Sequence, residues 1–213
     1  MIMKENKNSI ETSAGVVIIR EDDKLGPCIL LLSTYGKFDL PKGHVDVIDS
    51  NDEQLMGSEA QIKNTAIRET YEECGFKIID NASVFLPQDE QIARLVYSNE
   101  VPITCGNFNE KDKETKNLLS KSIVLNGVKS LPNNDLLKLK KIVYLYVAET
   151  KCKSASIEKN PNGVYEHESY TWYPISTIAS SNLHMYLKAG VAKAFKIYKT
   201  HKRVEEAINK INI

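Results

Sequence analysis

The run Arg68-Glu69-Thr70-Tyr71-Glu72-Glu73-Cys74-Gly75-Phe76 places three carboxylates and a guanidinium within a few residues of one another. At about 100° per residue, Glu69 and Glu73 fall about 40° apart and Glu72 beside them, so a helix here carries one acidic ridge. Like charges at that spacing destabilise an isolated helix. A divalent cation removes the repulsion, and carboxylate oxygens suit magnesium or manganese. The other face offers Ile67, Thr70, Tyr71 and Cys74 to a core, and Gly75 stands where a helix would end. Upstream, Lys37-Phe38-Asp39-Leu40-Pro41-Lys42-Gly43-His44-Val45 could receive phosphate. Lys42 would set its ammonium on an anion, and Gly43 would let backbone approach closely. His44 fits a structural hydrogen bond as well as a place at the substrate. Taken singly, the acidic run reads as a solvated helix face and Lys42 as a solvated lysine; side by side they favour chemistry.

The two runs resemble the Nudix box: Gly, five residues, Glu, seven residues, then Arg-Glu-U-x-Glu-Glu-x-Gly-U, with U bulky and apolar. Arg68, Glu69, Glu72, Glu73, Gly75 and Phe76 match the second half, and Gly43 matches the opening glycine. The chain departs from the pattern at Thr70, which stands at the first U. It departs again in spacing, since Gly43 and Arg68 are twenty-five positions apart rather than fourteen. The excess falls in the polar stretch 46–57, which reads as a solvated loop. The box glutamate then falls on Ala60, with Glu59 one place away, and whether Glu59 replaces it stays open. Ser58 followed by Gln61 is a capping-box pattern, which starts the helix near Glu59. A further run, Glu166-His167-Glu168-Ser169-Tyr170-Thr171-Trp172, resembles the Glu-His-x-x-Tyr-x-Trp segment of the diadenosine tetraphosphate hydrolase branch. Pro41-Lys42-Gly43-His44-Val45 also resembles that branch, with Asp46 in place of its glutamate.

The resemblance implies a Nudix-like α/β/α sandwich with a mixed β-sheet and a metal-dependent pyrophosphohydrolase activity. By it, Glu69, Glu72 and Glu73 hold Mg2+ or Mn2+, Glu69 or a neighbour acts as general base, and Arg68 anchors Glu69 or the loop. Glu166 would join the metal site, with Glu168 as runner-up, because alternation along a strand sets both on one face. The branch implies asymmetrical cleavage of diadenosine tetraphosphate to ATP and AMP. An adenine needs an aromatic or cationic face; Tyr144, Tyr146 and Tyr186 are the candidates, with core packing as the alternative. Trp172 and Tyr170 read as core aromatics. Lys138, Lys140 and Lys141 fit either a polyphosphate or a solvated charge run. Rival substrates are a diphosphoinositol polyphosphate, an mRNA 5′ end or a nucleotide sugar. A rival of another class is a Nudix-shaped module that binds nucleotide or RNA without hydrolysis. Retention of all three box carboxylates favours hydrolysis.

These residues need a scaffold. A chain of 213 residues suffices for one sizeable core; we expect a polar tail over 1–11 and a single domain over 12–213, with inserted loops near 46–57 and 106–140. Apolar runs predict strands at Ala14–Ile19 and Cys28–Leu32 joined as a hairpin, and at Phe38–Leu40, Phe76–Ile79, Ala82–Leu86, Ile92–Val96, Ile142–Ala148 and Ser169–Tyr173. Helical spacing predicts Glu59–Cys74 and a C-terminal helix from His184, continuing past Arg203. The 28 basic and 28 acidic residues balance, so no global field draws in nucleic acid or an anionic membrane. No stretch approaches membrane-spanning length. Cys28, Cys74, Cys105 and Cys152 form no metal-ligand spacing and read as thiols of a reducing compartment. A cytoplasmic or nuclear monomer acting on a small-molecule nucleotide is the expectation.

Overall fold

Near-continuous apolar runs along strands give a sheet two apolar faces, and each must be covered. The computed structural model describes residues 11–45, 59–81, 83–105, 141–160 and 162–211. Strand β1 (Glu11–Asp22) begins one residue inside the expected tail and turns back into β2 (Gly26–Thr34), as the hairpin reading predicts. Short strands β3 (Lys37–Asp39) and β4 (Lys42–His44) follow, and helix α1 runs over Glu59–Cys74. Then come β5 (Lys77–Ile79), β6 (Ile92–Cys105), β7 (Lys141–Glu149) and β8 (Ser169–Pro174). A 3-10 segment, Ile175–Ser180, leads to the long helix α2, Met185–Ile211. The strand order is β3-β2-β1-β7-β6-β5, with β4 added beside β1 and β8 beside β2. β1 runs parallel to β7 and β5 parallel to β6, while the other pairs are antiparallel, so the sheet is mixed.

Ala14, Val16 and Ile18 of β1 share one face with Tyr144, Tyr146 and Ala148 of β7, and Ile62, Ala66 and Cys74 of α1 cover it. Val17, Ile19, Val143, Leu145 and Val147 form the other face, under Leu187, Val191, Ala194 and Tyr198 of α2. The result is an α/β/α sandwich, the architecture expected from the sequence. Among the described residues no helix is long and apolar enough to cross a membrane.

Three expectations need correction. Tyr71 does not enter the core; it is 53% exposed. The buried side of α1 runs through Ile62, Ala66, Thr70 and Glu73, and at 100° per residue Tyr71 points well over 90° from its centre. Residues 83–86 form no strand: Asn81 accepts from the Ser83 amide on its side chain, 2.9 Å, and from Val84 on its carbonyl, 3.2 Å, an Asx turn. The expected strand at Ile92–Val96 is the start of a longer one reaching Cys105. The loops 46–57 and 106–140, Ser58, Lys138 and Lys140 lie outside the described residues.

Candidate active site

β4 is only three residues long, yet it fixes the site because it lies directly along β1. Ala14 pairs with Gly43 and Gly15 with Lys42, and the Val16 amide donates to the Pro41 carbonyl, 3.1 Å. A Cβ on Gly15 would collide with the Pro41 carbonyl and with Lys42, so only glycine lets β4 lie this close. The next layer repeats the device: a Cβ on Gly43 would occupy the space of the Glu69 carboxylate. Two glycines thus seat the head of α1 chemistry directly on backbone. Gly15 was not singled out from the sequence, because its role depends on which strand lies across it.

Thr70, at the apolar position of the box, is fully buried and donates its hydroxyl to the Ala66 carbonyl at 2.7 Å, which removes the penalty of burying it. Gly75 ends α1 at a φ of 73°, its amide donating to the Tyr71 carbonyl at 2.9 Å.

Around the ridge, two carboxylates share one partner and the third has its own. Arg68 forks between Glu69 Oε1, 2.6 Å, and Glu72 Oε2, 2.7 Å. Glu73 is 9% exposed; its Oε2 accepts the Lys42 amide at 2.9 Å, and its Oε1 lies 3.2 Å from His167 Nε2. Burial raises the pKa of Glu73 above its ordinary value, against the pull of His167 and the Lys42 amide. Burial likewise raises Glu69, opposed by Arg68 and reinforced by Glu73 and Glu72. Lys42 directs its ammonium to Asp39 at 2.6 Å rather than onto a ridge carboxylate. Three carboxylates therefore face one guanidinium. This surplus of hard oxygen donors, packed on a glycine cradle, fits a divalent cation.

The other expected residues are placed as follows. Glu166 is exposed and its Oε1 accepts from Asn160 at 2.8 Å. Glu168 accepts the Tyr35 amide at 3.2 Å. Glu166 and Glu168 sit in bends before β8 and not on a strand face as expected, and the residue between them, His167, is the one that reaches Glu73. The sequence motif held this histidine, but nothing in it said which side chain the bend turns to the helix. Tyr144 and Tyr146 are 4% and 1% exposed within the core beneath α1, so neither offers a ring face to a base. Tyr186 is half-buried beside His184 in the layer under α2, across the sheet from the ridge. Trp172 and Tyr170 pack against the α1-side core; Trp172 meets Phe76 edge-on and donates to the Lys153 carbonyl at 2.7 Å. His44 is exposed on β4. Glu59 and Ala60 are both exposed in the first turn of α1, and Glu59 lies about 15 Å along the axis from Glu69. Cys28, Cys74 and Cys152 are free and buried.

Among the described residues, the three ligand side chains that stand within ligand distance of one another are elsewhere: Glu149, His201 and Glu205. Glu149 borders a cleft of about 580 Å³ at the far end of β1, together with Glu21, Arg94 and Lys202. Glu149 accepts from Arg94 and from Lys202, the latter at 2.5 Å, and Glu205 accepts from Arg94 at 2.8 Å and Lys202 at 3.1 Å. Two cations already balance the two carboxylates there.

No protein-family model matches the chain, and no curated protein matches it. Solved structures are similar in outline. A binary complex of an Ap4A hydrolase from C. elegans is 15% identical, with 90% of this chain and 98% of that chain covered and a TM-score of 0.48. The NUDIX domain of Shewanella oneidensis NrtR complexed with ADP ribose is 15% identical over 87% and 88%, with a TM-score of 0.43. A MutT protein from Methanosarcina mazei is 17% identical over 93% and 97%, with a TM-score of 0.41. Likeness of this degree carries no functional weight; the chain's own residues must supply it.

Proposed function

We propose that the chain is a divalent-cation-dependent pyrophosphohydrolase of the Nudix type, acting on a dinucleoside polyphosphate. The observation that carries this reading is the acidic ridge of α1, seated on Gly43 with more negative charge than its neighbours balance. Glu69, Glu72 and Glu73 would hold Mg2+ or Mn2+. Once bound, such an ion neutralises phosphate charge and lowers the pKa of a water.

The chain's own residues supply the rest. Arg68 holds Glu69 by Oε1 and leaves Oε2 to accept a proton from an attacking water. Lys42 keeps its ammonium at the mouth of the site on Asp39, from which a phosphate could draw it. The Pro41-Lys42-Gly43-His44-Val45 and Glu166–Trp172 runs favour diadenosine tetraphosphate, split by water into ATP and AMP.

Product chromatography over a panel of nucleotides, with and without Mg2+, tests the proposal. Equal ATP and AMP from diadenosine tetraphosphate, abolished by chelation, is the expected result. Two ADP per substrate would overturn the asymmetrical cleavage, and rapid cleavage of a nucleotide sugar alone would reassign the substrate. Binding of nucleotide without release of any product would make the chain a recognition module.

A further inference from the structure

His167 joins three separate elements at one point. Thr34, the last residue of β2, donates its hydroxyl to the Glu166 carbonyl at 2.9 Å. Its single proton is thereby used, so its oxygen accepts from His167 Nδ1, 2.9 Å away. That contact makes Nδ1 a donor, and the Nε2 edge is turned to Glu73 Oε1 at 3.2 Å. The His167 side chain is only 10% exposed, and Nε2 is fully buried. Its approach to Glu73 is close but lies off the line of a good hydrogen bond. With the Lys42 amide on Oε2 and the His167 ring edge against Oε1, each oxygen of Glu73 has one protein nitrogen beside it.

We propose that His167, braced by Thr34, is a positioning residue that fixes the carboxylate plane of Glu73 for the cation. This rests on the reading of α1 as a cation site. A carboxylate held by only one oxygen swings about its last torsion, which is broad and soft. Bonded at one oxygen and flanked by the His167 ring at the other, it presents its free lone pairs in one direction, and partners of this outer kind sustain metal affinity about 10–100-fold. The same contact couples the β2–β3 hairpin, through Thr34, to the 166–168 segment and α1. Glu166 then serves through its backbone carbonyl, which occupies the Thr34 proton.

The test is Mn2+ binding by the full chain, read as free Mn2+ in electron paramagnetic resonance, beside the thermal midpoint of each variant. His167→Ala should raise the Mn2+ dissociation constant about 10–100-fold. Thr34→Val, which keeps shape but removes the hydroxyl, should give a smaller rise with the midpoint retained, and Thr34→Ser should restore binding. The Thr34 pair decides the matter even where His167→Ala fails to fold. Unchanged Mn2+ affinity in His167→Ala and Thr34→Val, alongside its loss in Glu73→Gln, overturns the role of His167 alone. Unchanged affinity in Glu73→Gln overturns the cation site itself, and the inference with it.

Discussion

Two acidic groups stand at the two ends of β1, built from nearly the same residue types. At one end, Glu69, Glu72 and Glu73 meet Arg68 and His167; at the other, Glu149 and Glu205 meet Arg94, Lys202 and His201. By proximity alone the far group is the better cation site, since its ligand atoms lie closer together. By charge it is already complete. Two cations hold its two carboxylates, whereas the α1 ridge has one guanidinium for three. The pKa directions agree. Burial raises Glu69 and Glu73 above their ordinary value. At Glu205 burial acts in the same sense but is outweighed by Lys202, His201 and Arg94, which bring it below. An acidic cluster acts as a site where its charge is left over, and as scaffold where its charge is matched.

The largest effects should separate the two ends. Glu73→Gln should lower turnover about 10²–10⁴-fold while leaving the circular-dichroism spectrum unchanged. Glu149→Ala should do the reverse, keeping turnover but costing about 3 kcal/mol of unfolding free energy, because Arg94 and Lys202 lose a buried partner. Denaturant melts and initial rates on both variants check this, and equal behaviour would erase the distinction.

A smaller effect tests the cradle. Gly43→Ala drives its new methyl into Glu69, so turnover should fall with a stability cost of about 1–3 kcal/mol. A fully active Gly43→Ala would show that Glu69 can work from another position.

The smallest effect is in pH. Glu69 and Glu73 bind protons more tightly folded than unfolded, so their contribution to stability is present below about the ordinary 4.5 and lost as pH rises through the raised value. Glu205 has the opposite sign: its contribution is present above 4.5 and lost as pH falls through its lowered value. In metal-free protein the thermal midpoint should therefore decline on both sides of this region. Glu73→Gln should flatten only the limb above it, and an undiminished slope there would count against the burial argument.

The helix at Glu59–Cys74 was readable from the sequence because periodicity and a closing glycine are local. The hairpin of β1 and β2 was readable for the same reason. The facing of Tyr144 and Tyr146 was not, because β7 is covered on both sides and alternation then carries no contrast between inside and outside. Tyr71 was misplaced because the direction of the core around α1 comes from the sheet below it. In the 166–168 segment the resemblance pointed to the glutamates, while the bend before β8 brings the histidine to Glu73.

The order of residues along the chain was enough to set the acidic ridge, the glycine that stops its helix and the architecture of two layers over a mixed sheet. Folding alone decided that Gly15 and Gly43 would stack β1, β4 and Glu69 face to face, and that Asp39 would take the Lys42 ammonium. It also decided that the far carboxylates would be neutralised while the near ones were not. The physical reason is range: hydrogen-bond periodicity acts over a few residues, whereas charge balance depends on side chains that only the packed sheet brings together.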